Sequence, residues 1–321
     1  MYFQHKLLTH ITANHCVRFE RHYSSSTRSH MNLSSWLMAA RPRTLTLAVT
    51  PVLVGSSLAW STNKKVDVLV ILAAFLSSMF IQLGTNLHND VVDSERGGDR
   101  LDRLGPPRVT ASGLLNGAAV RRGVGICFGL AALFGFYLVI VGGWPILVLG
   151  MLAIVSGWAY NGGPIPIAYT PFGEVFVVAF FGIGAVCGTY WLATGALDTA
   201  ALVSGVALGL LTSAVLLVNN TRDVIADARM GRHTLAIVAG RKLTIWIYTG
   251  FMLLPYALLA LIWRDVPHGH VWLAFVALPP TLLLIYRFMN EPAGRGFNGI
   301  LLETVRIQLL FSVLLSVGLL F

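Results

Sequence analysis

The sequence predicts an all-α integral membrane protein of about nine transmembrane helices, and three observations predict it. Of the 321 residues, 55% are hydrophobic and only 12% charged, too apolar for a soluble fold of this length. Nine apolar runs are each long enough to cross a hydrocarbon core that takes roughly 20 helical residues. None of them alternates with the period of two that barrel strands require. Backbone amides in lipid must be satisfied within the segment, so the runs are helices.

Taken in order, the spans are 45–62, 66–88, 122–141, 144–160, 172–194, 199–219, 243–263, 271–288 and 300–320. The second runs into an acidic stretch that opens a long polar loop, 89–121. The fourth ends at Tyr160 in a Gly/Pro-rich break, and the fifth carries Glu174 in its first turn and the close-packing pattern Gly184-x-x-x-Gly188. The sixth runs into a second long polar loop, 220–242, and the ninth is entered past Glu303 and Arg306, which the spacing i, i+3 would pair. The remaining loops are short, so residues 34–321 are expected to form one membrane domain.

Basic residues in short loops stay on the cytoplasmic side. Threading nine spans from a cytoplasmic N-terminus leaves nineteen of the 23 Lys and Arg inside, and only Lys64, Lys65 and Arg264 fall outside. The net charge of +9 is therefore a topology signal, with the bilayer as partner and no nucleic acid implied. Cys16, Cys127 and Cys187 include no CxxC pair and suggest neither a metal nor a disulfide framework. Residues 1–33 stand apart: His5, His10, His15, His22 and His30 and a Ser/Thr/Arg-rich stretch, with no long apolar core, are expected to form an extension outside the fold. The segment is no secretory signal, and it reads as a disordered tail or as translation upstream of a start at Met31 rather than as a targeting or regulatory segment.

Half of the fourteen acidic residues lie between Asp90 and Asp102 or at Asp223 and Asp227. If the second span continues through Asn86, Asn89, Asp90 and Asp93, amides and carboxylates share one helix end at spacings of three and four. Asn219, Asp223 and Asp227 form a similar i, i+4, i+8 ladder, with Asn220 beside it. Carboxylates so crowded repel unless a cation is present. Hard oxygen ligands on two helix ends are what Mg²⁺ prefers, with positions left for substrate phosphate, and Arg96, Arg100, Arg103, Arg108, Arg222, Arg229 and Arg232 stand ready for phosphate oxygens. One such cluster alone would be read as a solvated helix end. Two of them, four helices apart and on the same side, favour a shared chamber for a metal and a diphosphate.

At these residues the sequence resembles the UbiA superfamily of intramembrane prenyltransferases from about Ser34 onward. Asn89-Asp90-x-x-Asp93 with Asp99, and Asn219-Asn220-x-Arg222-Asp223-x-x-x-Asp227, match its two signatures. Within it the chain is most similar to the 1,4-dihydroxy-2-naphthoate polyprenyltransferases, through Arg41-Pro-Arg-Thr-Leu-Thr, Arg103-Leu-Gly-Pro-Pro-Arg108, Tyr160-Asn-Gly-Gly-Pro164 with Gly173-Glu174, and Gly231-Arg232-His-Thr234. It departs from that pattern at Asn161, where Thr is frequent, and at Arg232-His233, where a Lys-Arg pair is frequent.

The resemblance implies nine helices around a central chamber and Mg²⁺-dependent transfer of a polyprenyl group from its diphosphate to an aromatic acceptor. It implies that Asn89, Asp90, Asp93 and Asp99 hold one Mg²⁺, and that Asp223 and Asp227 with Asn219 or Asn220 hold the other or orient its ligands. Arg41, Arg108, Arg222, Arg232, Asn219 and Asn220 are the expected substrate contacts. Tyr160 is the aromatic expected near the reacting carbon, with an interfacial anchor as its alternative. Glu174 would orient or deprotonate the acceptor, and a helix N-terminal acid accounts for it equally. The expected setting is a bacterial inner membrane with the active side toward the cytoplasm; the sequence carries no signal for oligomeric state.

Three rivals remain at this point. Another acceptor, such as 4-hydroxybenzoate, homogentisate, haem or a chlorophyllide, would leave the mechanism intact. CDP-alcohol phosphotransferases also cluster aspartates, but in one continuous motif. A secondary transporter would carry its acids near the midplane on interrupted helices, whereas here they lie at one surface.

Overall fold

The computed structural model describes residues 33–97, 104–292 and 294–321. Asp99, Arg100 and Arg103, and all of the predicted extension before Leu33, lie outside them. A short helix α1 (Leu33–Ala40) turns at Arg41 into α2 (Pro42–Asn63). Arg41 takes a left-handed φ of 51° there, and Pro42 occupies the first helical position, where its missing N–H costs nothing. α3 (Val68–Glu95) starts on Asp67, whose side chain accepts from Leu69 N at 2.8 Å. α4 (Gly117–Gly142) starts on Asn116 in the same way, at 2.8 Å from Ala118 N.

α5 (Trp144–Ala159) has 16 residues, so among the described residues eight helices are long and apolar enough to cross a membrane and this ninth is shorter. The nine predicted spans are all helices. α6 (Gly173–Thr194) contains a π-helical stretch, Val178–Gly184. α7 (Thr199–Arg222) starts on Asp198, which accepts from Ala201 N at 2.7 Å. The short α8 (Val224–Arg229) follows, then α9 (Leu235–Asp265), kinked at Gly240, α10 (Val271–Asn290) and α11 (Phe297–Leu320).

α7 is the most buried of the spans. It packs against α9, the π-helical stretch of α6, and α11; α2 packs on α11 and α6, while α4 lies outside against α3. Between lipid-facing helices there is no hydrophobic drive, so close backbone approach carries association. The approach of α6 to α7 is made by glycines: a Cβ on Gly182 would stand 2.6 Å from Gly209 Cα. This contact does not use Gly184 and Gly188, which face Leu149 of α5 instead.

Two expectations need correction. Glu303 pairs with Arg287 at 2.5 Å, across to α10, and Arg306 is exposed, so the sequence spacing gave the wrong partner. The acidic ladder after the sixth span is not one continuous helix either. The helix bends at Asp223, although Asp223 N still reaches Asn219 O at 3.2 Å and Asp227 N reaches Asp223 O at 2.8 Å. The bend keeps the i, i+4 steps.

Candidate active site

The C-terminal ends of α3 and α7 meet at one end of the bundle around a chamber of about 240 Å³. α3 continues through Glu95, so Asn89 and Asp93 share a face one turn apart. Both line the chamber together with Arg41, Arg108, Tyr160, Asn219, Asn220, Asp223, Asp227 and Arg232. Ten of the predicted site residues are thus drawn to a single cavity by helix ends that are distant in sequence.

Charge is balanced with care at its centre. Arg232 donates to Asp93 Oδ1 at 2.9 Å and to Asp227 Oδ1 at 3.1 Å. Arg108 pairs with the other oxygen of Asp93. Two buried carboxylates therefore face two guanidiniums, which removes the repulsion the carboxylates would otherwise feel. Burial by itself would lower the pKa of Arg232, but Asp93 and then Asp227 outweigh it and hold the guanidinium above its ordinary value. The Tyr169 ring lies beneath it at 4.9 Å, with Arg96 at 5.4 Å from the same ring, and the Tyr169 carbonyl accepts from His233 N at 2.9 Å. Tyr169 is distant from Arg232 in sequence, so its place beneath the guanidinium is set by the fold.

Three predicted residues sit beside the chamber rather than on its wall. Asp90 is buried and accepts from Val109 N at 3.1 Å and Thr110 N at 2.9 Å, so both its oxygens anchor the loop that carries Arg108. Arg222 grips Asp223 Oδ2 at 2.6 Å, Asn219 Oδ1 at 2.8 Å and Asn298 Oδ1 at 3.0 Å, and Asn298 in turn donates to Leu104 O at 3.0 Å. Sequence reading missed Asn298, whose only signal is a lone amide in the first turn of the last span. Glu174, also buried, accepts from Asn220 Nδ2 at 3.0 Å through one oxygen. Its other oxygen has no hydrogen-bond partner among the described residues.

Residues 48–294 match the UbiA prenyltransferase family. The chain belongs to that family. It is 30% identical over 290 residues to the 1,4-dihydroxy-2-naphthoate octaprenyltransferase of Bacillus subtilis, covering 87% of this chain and 90% of that one. With the enzyme of the same name from Escherichia coli it shares 32% identity over 291 residues, 88% of this chain and 94% of the relative. Its fold is similar to the solved structure of a UbiA homologue from Archaeoglobus fulgidus bound to GPP and Mg²⁺, with a TM-score of 0.64 at 14% identity over 89% of this chain and 99% of that one. This UbiA prenyltransferase is accordingly an integral membrane transferase.

In this UbiA prenyltransferase the polar chamber adjoins a second cavity of about 350 Å³, walled by apolar side chains of α2 to α6. Gln82, Thr85, Tyr160, Val177 and Phe181 line both cavities. Leu147 and Met151 of its wall are also exposed on the outside of the bundle, so the cavity reaches the lipid-facing surface. Among the described residues no three His, Cys, Asp or Glu side chains form a ready-made metal cluster. The donor chemistry nevertheless fits a hard divalent cation that shares its ligands with phosphate. Asn89 Oδ1 is buried without a hydrogen-bond partner among the described residues, and the Asp93, Asp223 and Asp227 carboxylates and the Asn219 and Asn220 amides line the same chamber.

Proposed function

We propose that this protein transfers a polyprenyl group from polyprenyl diphosphate to 1,4-dihydroxy-2-naphthoate, releasing diphosphate and CO₂ and giving demethylmenaquinol for menaquinone biosynthesis. The observation that carries the reading is the meeting of two acidic helix ends across one chamber that continues into an apolar cavity. A substrate with a charged head and a long hydrocarbon tail fits that pairing. The named relatives supply the acceptor.

Asn89, Asp93, Asp223 and Asp227 would hold Mg²⁺, with Asp99 a further candidate. When bound, Mg²⁺ withdraws charge from the diphosphate as the allylic C–O bond breaks. Arg41, Arg108 and Arg232 face the phosphate oxygens, and Asn219 and Asn220 orient them. The C–O electron pair leaves with the diphosphate, and an acceptor ring carbon supplies the pair for the new C–C bond. The ring carboxylate departs as CO₂, and its bonding pair balances the pair the ring gave. Tyr160, at the junction of the two cavities, presents its ring near the reacting carbon. Glu174, fixed by Asn220, orients the acceptor. Asp90 and Arg222 act by placing Arg108 and Asp223, an assignment their hydrogen bonds support.

The distribution of Lys and Arg supports a cytoplasmic N-terminus and an active end facing the cytoplasm of a bacterial inner membrane. The test incubates membranes holding the protein with a polyprenyl diphosphate, Mg²⁺ and either 1,4-dihydroxy-2-naphthoate or 4-hydroxybenzoate, and reads products by mass. Mg²⁺-dependent product from the naphthoate is expected. Product from the benzoate alone would keep the mechanism and replace the acceptor, and no product from either would overturn the reading.

A further inference from the structure

The bond that breaks must lie where the polar head ends and the hydrocarbon tail begins. In this molecule that place is the junction of the two cavities, and it is defined by the five side chains that line both. Two of the five are aromatic, Tyr160 and Phe181. The remaining three, Gln82, Thr85 and Val177, offer no π face. Phe136, Phe176 and Phe180 line the apolar cavity alone, beyond the reach of the charged end.

Phe181 owes its position to an irregularity in α6. It lies within the π-helical stretch Val178–Gly184, and such wider turns shift the face that the following residues present. Gly182, the next residue, lets this stretch sit against the backbone of α7 at Gly205 and Gly209. Phe181 itself stays half-buried, packed against the cluster of Leu47, Val215 and Val305. Its ring is therefore held on the junction by α2, α7 and α11 rather than swinging in lipid.

We propose that Phe181 is a catalytic residue of the prenyl transfer. Its ring face stabilises the positive charge that develops on the allylic carbon as the C–O bond breaks, at the junction it shares with Tyr160, and keeps water from that carbon until the acceptor attacks. The physical basis is the attraction between a cation and an aromatic quadrupole, which is strongest in a desolvated site. The inference rests on the prenyl-transfer reading above, and the ordinary alternative is that Phe181 only fills space.

Ring fluorination separates the two, because it drains the quadrupole while nearly preserving shape. The full chain carrying mono-, di- and trifluorophenylalanine at position 181 is assayed in membranes with polyprenyl diphosphate, 1,4-dihydroxy-2-naphthoate and Mg²⁺. The rate of the chemical step should fall progressively, by about tenfold across the series, while KM for the diphosphate moves less than about twofold. Phe181→Leu should also divert part of the diphosphate to free polyprenol through capture by water. A flat fluorine series, or a Phe181→Leu variant that changes KM alone, would reduce Phe181 to a packing residue. An unmodified protein that makes no prenylated product would instead overturn the prenyl-transfer reading, and this inference with it.

Discussion

Asp93 and Asp227, on helix ends far apart in sequence, reach the same guanidinium: Arg232 donates to one at 2.9 Å and to the other at 3.1 Å. That bridge fixes the separation of the two acidic motifs. Removing it by Arg232→Ala takes one guanidinium from two buried carboxylates at once, a change that costs about 3–5 kcal/mol when one partner of a buried pair is lost. Initial rates against donor concentration should show kcat/KM reduced by at least about 100-fold. Arg232→Lys should restore only part of this, because one ammonium does not reproduce a planar fork spanning two carboxylates.

Chelation with EDTA should abolish product formation, and Mg²⁺ should restore it. In Asp227→Asn the Mg²⁺ concentration giving half-maximal rate should rise by about tenfold or more, equivalent to about 1.4 kcal/mol for one lost charged ligand. An unchanged Mg²⁺ titration would remove Asp227 from the proposed ligand set.

Asp90 offers a contrasting case within the same motif. Both its oxygens are engaged by Val109 N and Thr110 N, so Asp90→Ala forfeits two charge-assisted bonds of roughly 1.5–3 kcal/mol each. The expected result is faster limited proteolysis within residues 104–116 and a lower kcat through misplacement of Arg108. The Mg²⁺ titration of the active fraction should stay where it is in the unmodified protein. A large shift in that titration would make Asp90 a ligand after all.

Arg222 acts through geometry. A Cβ on Gly105 would lie 2.9 Å from its Nη2, so Gly105→Ala should push the guanidinium off Asp223 and Asn298 and lower kcat several-fold. Arg222→Lys should lose more, since one ammonium replaces a fork that serves Asp223, Asn219 and Asn298 at once. Thermal unfolding in detergent, measured beside activity, should show a lower midpoint for both.

Glu174→Gln keeps an oxygen for Asn220 but removes the negative charge. If Glu174 orients the acceptor, KM for the naphthoate should rise by roughly tenfold, about 1.4 kcal/mol, with KM for the diphosphate unchanged. Equal changes in both constants would place Glu174 in the framework instead.

The sequence by itself determined the solvent, the element type and the chemistry of this protein. Apolar runs of bilayer length can satisfy their amides only as helices, and α2 to α7 and α9 to α11 follow the predicted spans with small changes at their ends. The acids were legible because carboxylates are rare in such a chain and half of them fall in two short stretches. Tertiary structure alone decided how those residues divide their work. Asp90 and Asp93 are three positions apart and chemically identical, yet one anchors a loop and the other faces the chamber, because Val109 and Thr110 present their N–H groups to the first and Arg108 and Arg232 reach the second. Glu303 found Arg287 rather than Arg306 because α10 brings its charge alongside α11. Phe181 could not be told from its aromatic neighbours in sequence, since it lies in a π-helical turn beside Gly182, which meets the backbone of α7, and neither feature shows in the local periodicity. Local periodicity fixes which face a residue occupies on its own helix; which partner that face meets is decided by packing between helices.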